Sequence, residues 1–292
     1  MPQKFNSSQF KSKLRQLENK TNQQIRSLKQ EIEKNNRNIK RAVDDYNRTV
    51  RQHNSKVLQN RSRIQSELRK LNSTGRISTT TTYRTSVTTL HSAYQNVAVA
   101  YDTMGQGTPF QEHIYSRIEQ ENANNLAAAN VVLENSEPTE QEYSLQDTKI
   151  MNRLSTISID LDNRWKGALF SLNPLNPDAT RHFCTSVREI FTEIFDAKAT
   201  DKDVFAVIPN CEKTDRGNAS RRSKIKYFMQ KKGFTDSDVE IFIDSDIENI
   251  LELFHTLSKG THGEAGKYSM NQLAVIKNRV EDGLLFLCDI VS

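Results

Sequence analysis

Residues 8–72 contain neither proline nor glycine, and this constrains the chain more than any other feature. Apolar residues recur across it at Phe10, Leu14, Leu17, Ile25, Leu28, Ile32, Ile39, Val43, Tyr46, Val50, Val57, Ile64, Leu68 and Leu71. The steps are threes and fours, or multiples that continue them. That spacing gathers the residues on one helix face, and sustained over such a length it reads as a coiled-coil seam. Leu14 to Ile25 and Ile39 to Val50 are eleven-residue steps, which locally relax a left-handed supercoil. Thr21, Asn35, His53 and Asn60 place polar groups in the seam, weakening it while setting register and partner. A helix of this length would extend roughly 100 Å. Its thin apolar stripe needs cover from another copy, a different protein or later helices of the same chain.

The formal net charge of +5 conceals an asymmetry. Residues 1–72 hold 18 Lys/Arg and 6 Asp/Glu, and the remainder holds 23 and 30. A basic helix can dock on nucleic acid through phosphates or on an acidic partner, or simply present a solvated face. No run of 18 apolar residues is present, so no transmembrane helix and no membrane partner are expected. The start, MPQKFNSSQFKSKL, lacks the apolar core of a signal peptide. Cys184, Cys211 and Cys288 lie far apart without zinc-site spacing, and read as reduced thiols of a cytoplasmic protein.

Residues 73–87, with Gly75 and the Thr79–Thr82 run, read as a turn or hinge. Helical patterns resume over 88–103, 110–134 and 140–166, separated by Gly/Pro-containing loops. Asn176-Pro177-Asp178 opens a helix to about residue 196, carrying the apolar stripe Phe183, Val187, Ile190, Phe191, Ile194 and Phe195. Val204–Pro209 reads as a brief strand or extended segment. Asn218-Ala219-Ser220 opens a basic helix that Gly233 closes. Thr235–Asp238 caps the next helix, and residues 268–290 form the last. The expected architecture is all-α: an elongated coiled-coil stalk over 1–160 with its hinge near 73–87, then a compact helical domain over 161–292.

Three clusters carry candidate chemistry. Arg181 and Arg188 share a helix face near His182, either pairing at the domain edge or facing a phosphate. Arg221, Arg222 and Lys224 open a helix around Tyr227 and Phe228, a pattern compatible with nucleic-acid contact or with a solvated face. His255, Lys259 and His262 lie in a glycine-flanked segment read as an inter-helix loop. Histidine can serve as acid or base near neutral pH, and Lys259 could hold a phosphate or a pentavalent oxyanion. Asp244, Asp246 and Glu248 fall on a solvent-facing pattern and read as solvated, so no metal site is assigned. No motif specifies a cofactor.

Trp165-Lys166-Gly167-Ala168, Asn176–Ala179 with Arg181, Ser186–Glu189, Arg221-Arg222 and Ser258–Gly263 together resemble the predicted nuclease domains associated with prokaryotic PIWI-type proteins in phage-defence loci. The resemblance covers about residues 150–292. It implies an all-helical domain, a defence role and cleavage of nucleic acid, with Arg181, Arg188, Glu189 and His262 at the family-like polar positions. A broader similarity is to HEPN-type (higher eukaryotes and prokaryotes nucleotide-binding) ribonuclease domains, in which His follows Arg by four to six residues. Here Arg181 is adjacent to His182, and no Arg stands at that distance before His255 or His262.

Two functions follow. One is an anti-phage effector whose nuclease domain is carried on a coiled-coil stalk, with His262 as acid–base and Arg181, Arg188 and Lys259 binding phosphate. His182, Arg221, Arg222, Lys224 and His255 would then contact nucleic acid. The other is a non-catalytic adaptor or sensor that binds a partner protein or nucleic acid. In both, the coiled coil joins a homo-oligomer or a partner protein.

Overall fold

The computed structural model describes residues 7–73, 81–103, 107–134, 145, 148–150, 152–173, 176, 178–260 and 268–292. The fold is all-helical. Its elements are α1 (Ser7–Ser73), α2 (Thr81–Thr103), α3 (Pro109–Glu134), a 3-10 turn (Leu154–Thr156), α4 (Ile159–Ser171), α5 (Ala179–Lys198), α6 (Asp201–Val207), α7 (Arg221–Lys231), α8 (Ser237–Gly260) and α9 (Met270–Val291). An isolated bridge joins Lys213 and Ala219, and the described residues include no strand. The chain divides into two compact units at Lys56/Val57.

The first unit is described by the α1 residues up to Lys56. Its apolar stripe is exposed, from Phe10 to Val50. The second unit builds the core. There α2 packs on α3 and α8, α3 on α9, α4 on α5, and α7 on α8. The last turns of α1 bury Ile64 and Leu71 in this core. They are tied down by Arg61, which donates to Glu119 at 2.9 Å and to Asp102 at 2.8 Å, and by Asn130, which donates to the Glu67 carboxylate at 2.6 Å.

Local signals set many of the helix ends. Ser220 caps α7 by accepting from the Ser223 N–H, Gly233 turns the chain at φ +71°, and Ser269 with Gln272 forms a capping box on α9. Asp236 accepts from the Asp238 N–H at 2.9 Å where α8 begins.

Elsewhere packing overrides the local reading. Helix α2 already begins at Thr81, inside the segment expected to be a hinge; residues 74–80 lie outside the described residues. Tyr83, Val87 and Leu90 are fully buried, which outweighs the few tenths of a kcal/mol that each β-branched residue costs a helix. The hydroxyls of Thr88, Thr89 and Ser92 donate back to carbonyls one turn earlier.

The stretch expected to be helical over 140–166 is not continuous helix. The buried Glu281 carboxylate accepts from the Thr148 hydroxyl and from the Lys149 and Ile150 N–H groups. Those donors are thereby withdrawn from any helix, and α4 starts only at Ile159. The Thr148 hydroxyl in turn accepts from the Trp165 indole N–H at 2.9 Å, anchoring the single Trp in the core. Val204 belongs to α6 rather than to a strand; Thr200 caps that helix by accepting from the Asp203 N–H, and Val204 is buried beneath it.

Between α2, α3, α8 and α9 lies a buried ion network. Arg279, 2% exposed, donates to Glu121 at 3.0 Å and to Asp246. Asp246 is therefore not solvated as its sequence pattern suggested. Burial raises the Glu121 pKa to about 8, with the Asp246 charge adding to the shift and Arg279 and Arg117 opposing it. Burial likewise raises Asp246 against the pull of Arg279.

Candidate nucleic-acid interface

Helix α5 turns its apolar side inward, so that Phe191 and Phe195 reach the core while Arg188 and Asp196 remain exposed. Helix α7 runs alongside and contributes Arg221 and Lys224. Helix α8 closes the floor with Ile247 and Leu251. The result is a cleft of about 330 Å³ bounded by α5, α7 and α8. Two cations assigned from the basic helix, Arg221 and Lys224, thus meet Arg188, which lies more than thirty positions earlier in the chain.

Each α7 cation is held by two carboxylates. Arg221 donates through Nε to Asp244 at 2.7 Å and through Nη2 to Glu248 at 2.8 Å. Burial works against its charge, but the two acids outweigh burial and raise its pKa. Lys224 donates to Asp196 at 2.7 Å and lies 3.9 Å from Asp201. Asp244 and Glu248 are thus anchors of Arg221, not free surface acids. Arg188 differs from both cations: among the described residues its side chain has no ion pair or hydrogen bond. Its neighbour Glu189 pairs with Arg164 at 2.5 Å instead. The cleft therefore offers one uncommitted guanidinium beside two cations, the Arg221 guanidinium and the Lys224 ammonium, that acids position.

A second groove, of about 630 Å³, meets the first at Arg221. It is lined by Thr82, Thr85, Ser86 and Thr89 from α2 and by Asp244, Glu248 and Glu252 of α8. On the outer face of α7, Arg222, Lys226 and Lys231 are exposed. Arg222 is thus exposed, whereas Arg221 and Lys224 are largely withdrawn into the domain.

The remaining sequence-assigned residues are placed elsewhere. Arg181 pairs with Asp178 at the first turn of α5. His182 lines a separate surface depression with Phe170, Ser171, Asn173 and Asn176. Asn176 is not the cap of α5: the N-cap position is Asp178, which makes no side-chain cap bond, and Asn176 instead accepts from the Asp178 N–H at 3.1 Å ahead of the helix; Pro177 lies outside the described residues. His255 is exposed on α8, because that helix continues through Gly260; the segment expected to be a loop is helical to that point. Lys259 falls in the same last turn with its side chain outside what the structure describes, and His262 lies outside the described residues.

Sequence reasoning missed the acids of the cleft, Asp196 and Asp201, and the hydroxyl row of α2. The Thr82/Thr85/Ser86/Thr89 spacing was visible, but the threonines argued locally for a turn. Cys184 and Cys288 are pushed up to about 12 by burial, so neither thiol is a nucleophile at neutral pH. Among the described residues, no group of three or more His, Cys, Asp or Glu converges to hold a metal ion, and no helix is long and apolar enough to cross a membrane.

Residues 154–287 match the family model described as predicted pPIWI-associating nuclease. The match and the resemblance read from the sequence coincide on the C-terminal half of the chain. It spans α4 to nearly the end of α9, and so takes in all three helices of the cleft. No curated protein and no solved structure matches the chain.

Proposed function

We propose that the domain is a nucleic-acid-cleaving effector of a bacterial anti-phage system and that the α5–α7–α8 cleft takes the phosphodiester backbone. One observation carries this reading: the region matched to a predicted nuclease is the region in which Arg188, Arg221 and Lys224 converge. Arg188 is the phosphate anchor, because an unpaired guanidinium can form a bidentate contact without first giving up a carboxylate. The outer face of α7 guides the strand through Arg222 and Lys226. His262 is assigned as acid–base, with Arg181 and Lys259 as further phosphate contacts.

The alternative, a non-catalytic adaptor, draws on the same cleft. Asp196, Asp201, Asp244 and Glu248 already neutralise Arg221 and Lys224, which lowers the attraction for a polyanion. The deciding experiment incubates the purified chain with labelled single- and double-stranded RNA and DNA, with and without Mg²⁺ or Mn²⁺, beside folded His262→Ala and Arg188→Ala variants. Cleavage lost in both variants is the expected result. Binding without cleavage moves the reading to the adaptor.

A further inference from the structure

Written in blocks of eleven, residues 10–53 form four tandem repeats starting at Phe10, Thr21, Ile32 and Val43. The sixth position is arginine in every block: Arg15, Arg26, Arg37 and Arg48. The eighth is aliphatic in every block: Leu17, Leu28, Ile39 and Val50. Residues 7–56 are helical throughout, so the two columns lie about 160° apart around the axis. The helix is two-faced, with an arginine column opposite an apolar one.

In the third and fourth blocks the intermediate seam position moves one residue earlier, to Asn35 and Tyr46. The shift leaves the eleven-residue period intact: three residues of the seam per block average about 3.67 residues per step, close to the 3.6 of a straight helix. The seam therefore drifts only slightly from a line parallel to the axis, in the right-handed sense, where a strict heptad would wind left-handed. This face is open: Leu17 is 63% and Ile39 62% exposed. An apolar stripe of this extent, broken at only a few polar positions, marks an interaction face, unlike scattered single residues.

We infer that the occupant is a second copy of the same segment, parallel and in register, lying alongside with little supercoil. Three features point to a copy. Asn35 interrupts the apolar stripe, and its amide both donates and accepts, so facing the copy's own Asn35 satisfies it where an apolar partner would strand it. Lys13 and Glu18 flank the stripe on opposite edges, five residues apart. A parallel in-register pair brings each against the other's opposite number. The arginine column faces outward in such a pair, which keeps four of the 13 Lys/Arg that outnumber 5 Asp/Glu in residues 7–56 away from the contact.

The test uses the full chain carrying Cys211→Ser. Light scattering should give twice the chain mass, and raising the salt to about 0.5 M should tighten the dimer severalfold, because screening relieves like-charge repulsion while leaving the apolar contact. An added Leu28→Cys should give a disulfide-linked dimer on mild oxidation, since facing seam positions come within the ~6 Å Cα separation a disulfide needs. An added Arg26→Cys, on the outward column, should not. A monomer at every salt concentration overturns the proposal in favour of a different partner. Equal cross-linking at both positions overturns it, as does a dimer in which Leu28→Cys fails to cross-link.

Discussion

At the scale of single residues, the molecule separates cations that hold the fold from a cation free to bind. Arg188 is exposed and, among the described residues, without an ion pair, so Arg188→Ala should leave the denaturation midpoint unchanged. If it contacts one phosphate, the variant should weaken nucleic-acid binding and reduce the salt dependence of log K by about 0.7–0.9; titrations at several salt concentrations measure this. Arg279 is the opposite case. Removing it strands Glu121 and Asp246 in the core, and Arg279→Ala should cost about 3–5 kcal/mol in urea denaturation. Glu121 titrates from an ordinary value of 4.5 to about 8 on folding. Between those values the folded chain keeps a proton that the unfolded chain has lost. Stability therefore falls as pH rises through that window, and the contribution is level below it. Glu121→Gln should make this pH profile shallower, as read from urea midpoints at pH about 5 and about 8.

At the scale of elements, the longer helices were legible, while α6, the start of α4 and the helix partners were not. Periodicity and caps placed α3, α7 and α9 closely, because apolar spacing, Ser220 and Gly233 act within a few residues of themselves; the Ser269 capping box is as local but was not read. The threonine run at the start of α2 misled, since its propensity is local while the burial of Tyr83 and Val87 is decided by α8. The close approach of α8 and α9 is another such decision. A Cβ built on Gly283 comes 2.4 Å from the Ile250 δ-methyl, and Ile250 is itself fully buried. Gly283→Ala should therefore destabilise by about 1 kcal/mol, overpacking outweighing the gain in helix propensity. Adding Ile250→Val removes the offending methyl and should recover part of that loss, a coupling that a double-mutant cycle in urea would detect.

At the scale of the whole molecule, the second unit has its own core. Residues 57–292 expressed alone should keep their helical signal and a cooperative melt, while losing the self-association ascribed to residues 7–56; circular dichroism and light scattering check both. What the sequence by itself determined was the all-α class, the unbroken first helix, the Ser220 start and Gly233 end of α7, and the location of the nuclease-like region. These follow from short-range rules: an apolar residue every three or four positions, a hydroxyl one turn from an N–H, a glycine where φ is positive. Tertiary structure alone decided that Asp246 is buried on Arg279, that Glu281 captures the backbone at Lys149 and Ile150, and that Arg188 shares a cleft with Arg221 and Lys224. Each of those contacts joins residues some thirty or more positions apart. A charged side chain in a helical pattern reads alike whether it meets water or a distant partner, and only the packing of the helices distinguishes the two.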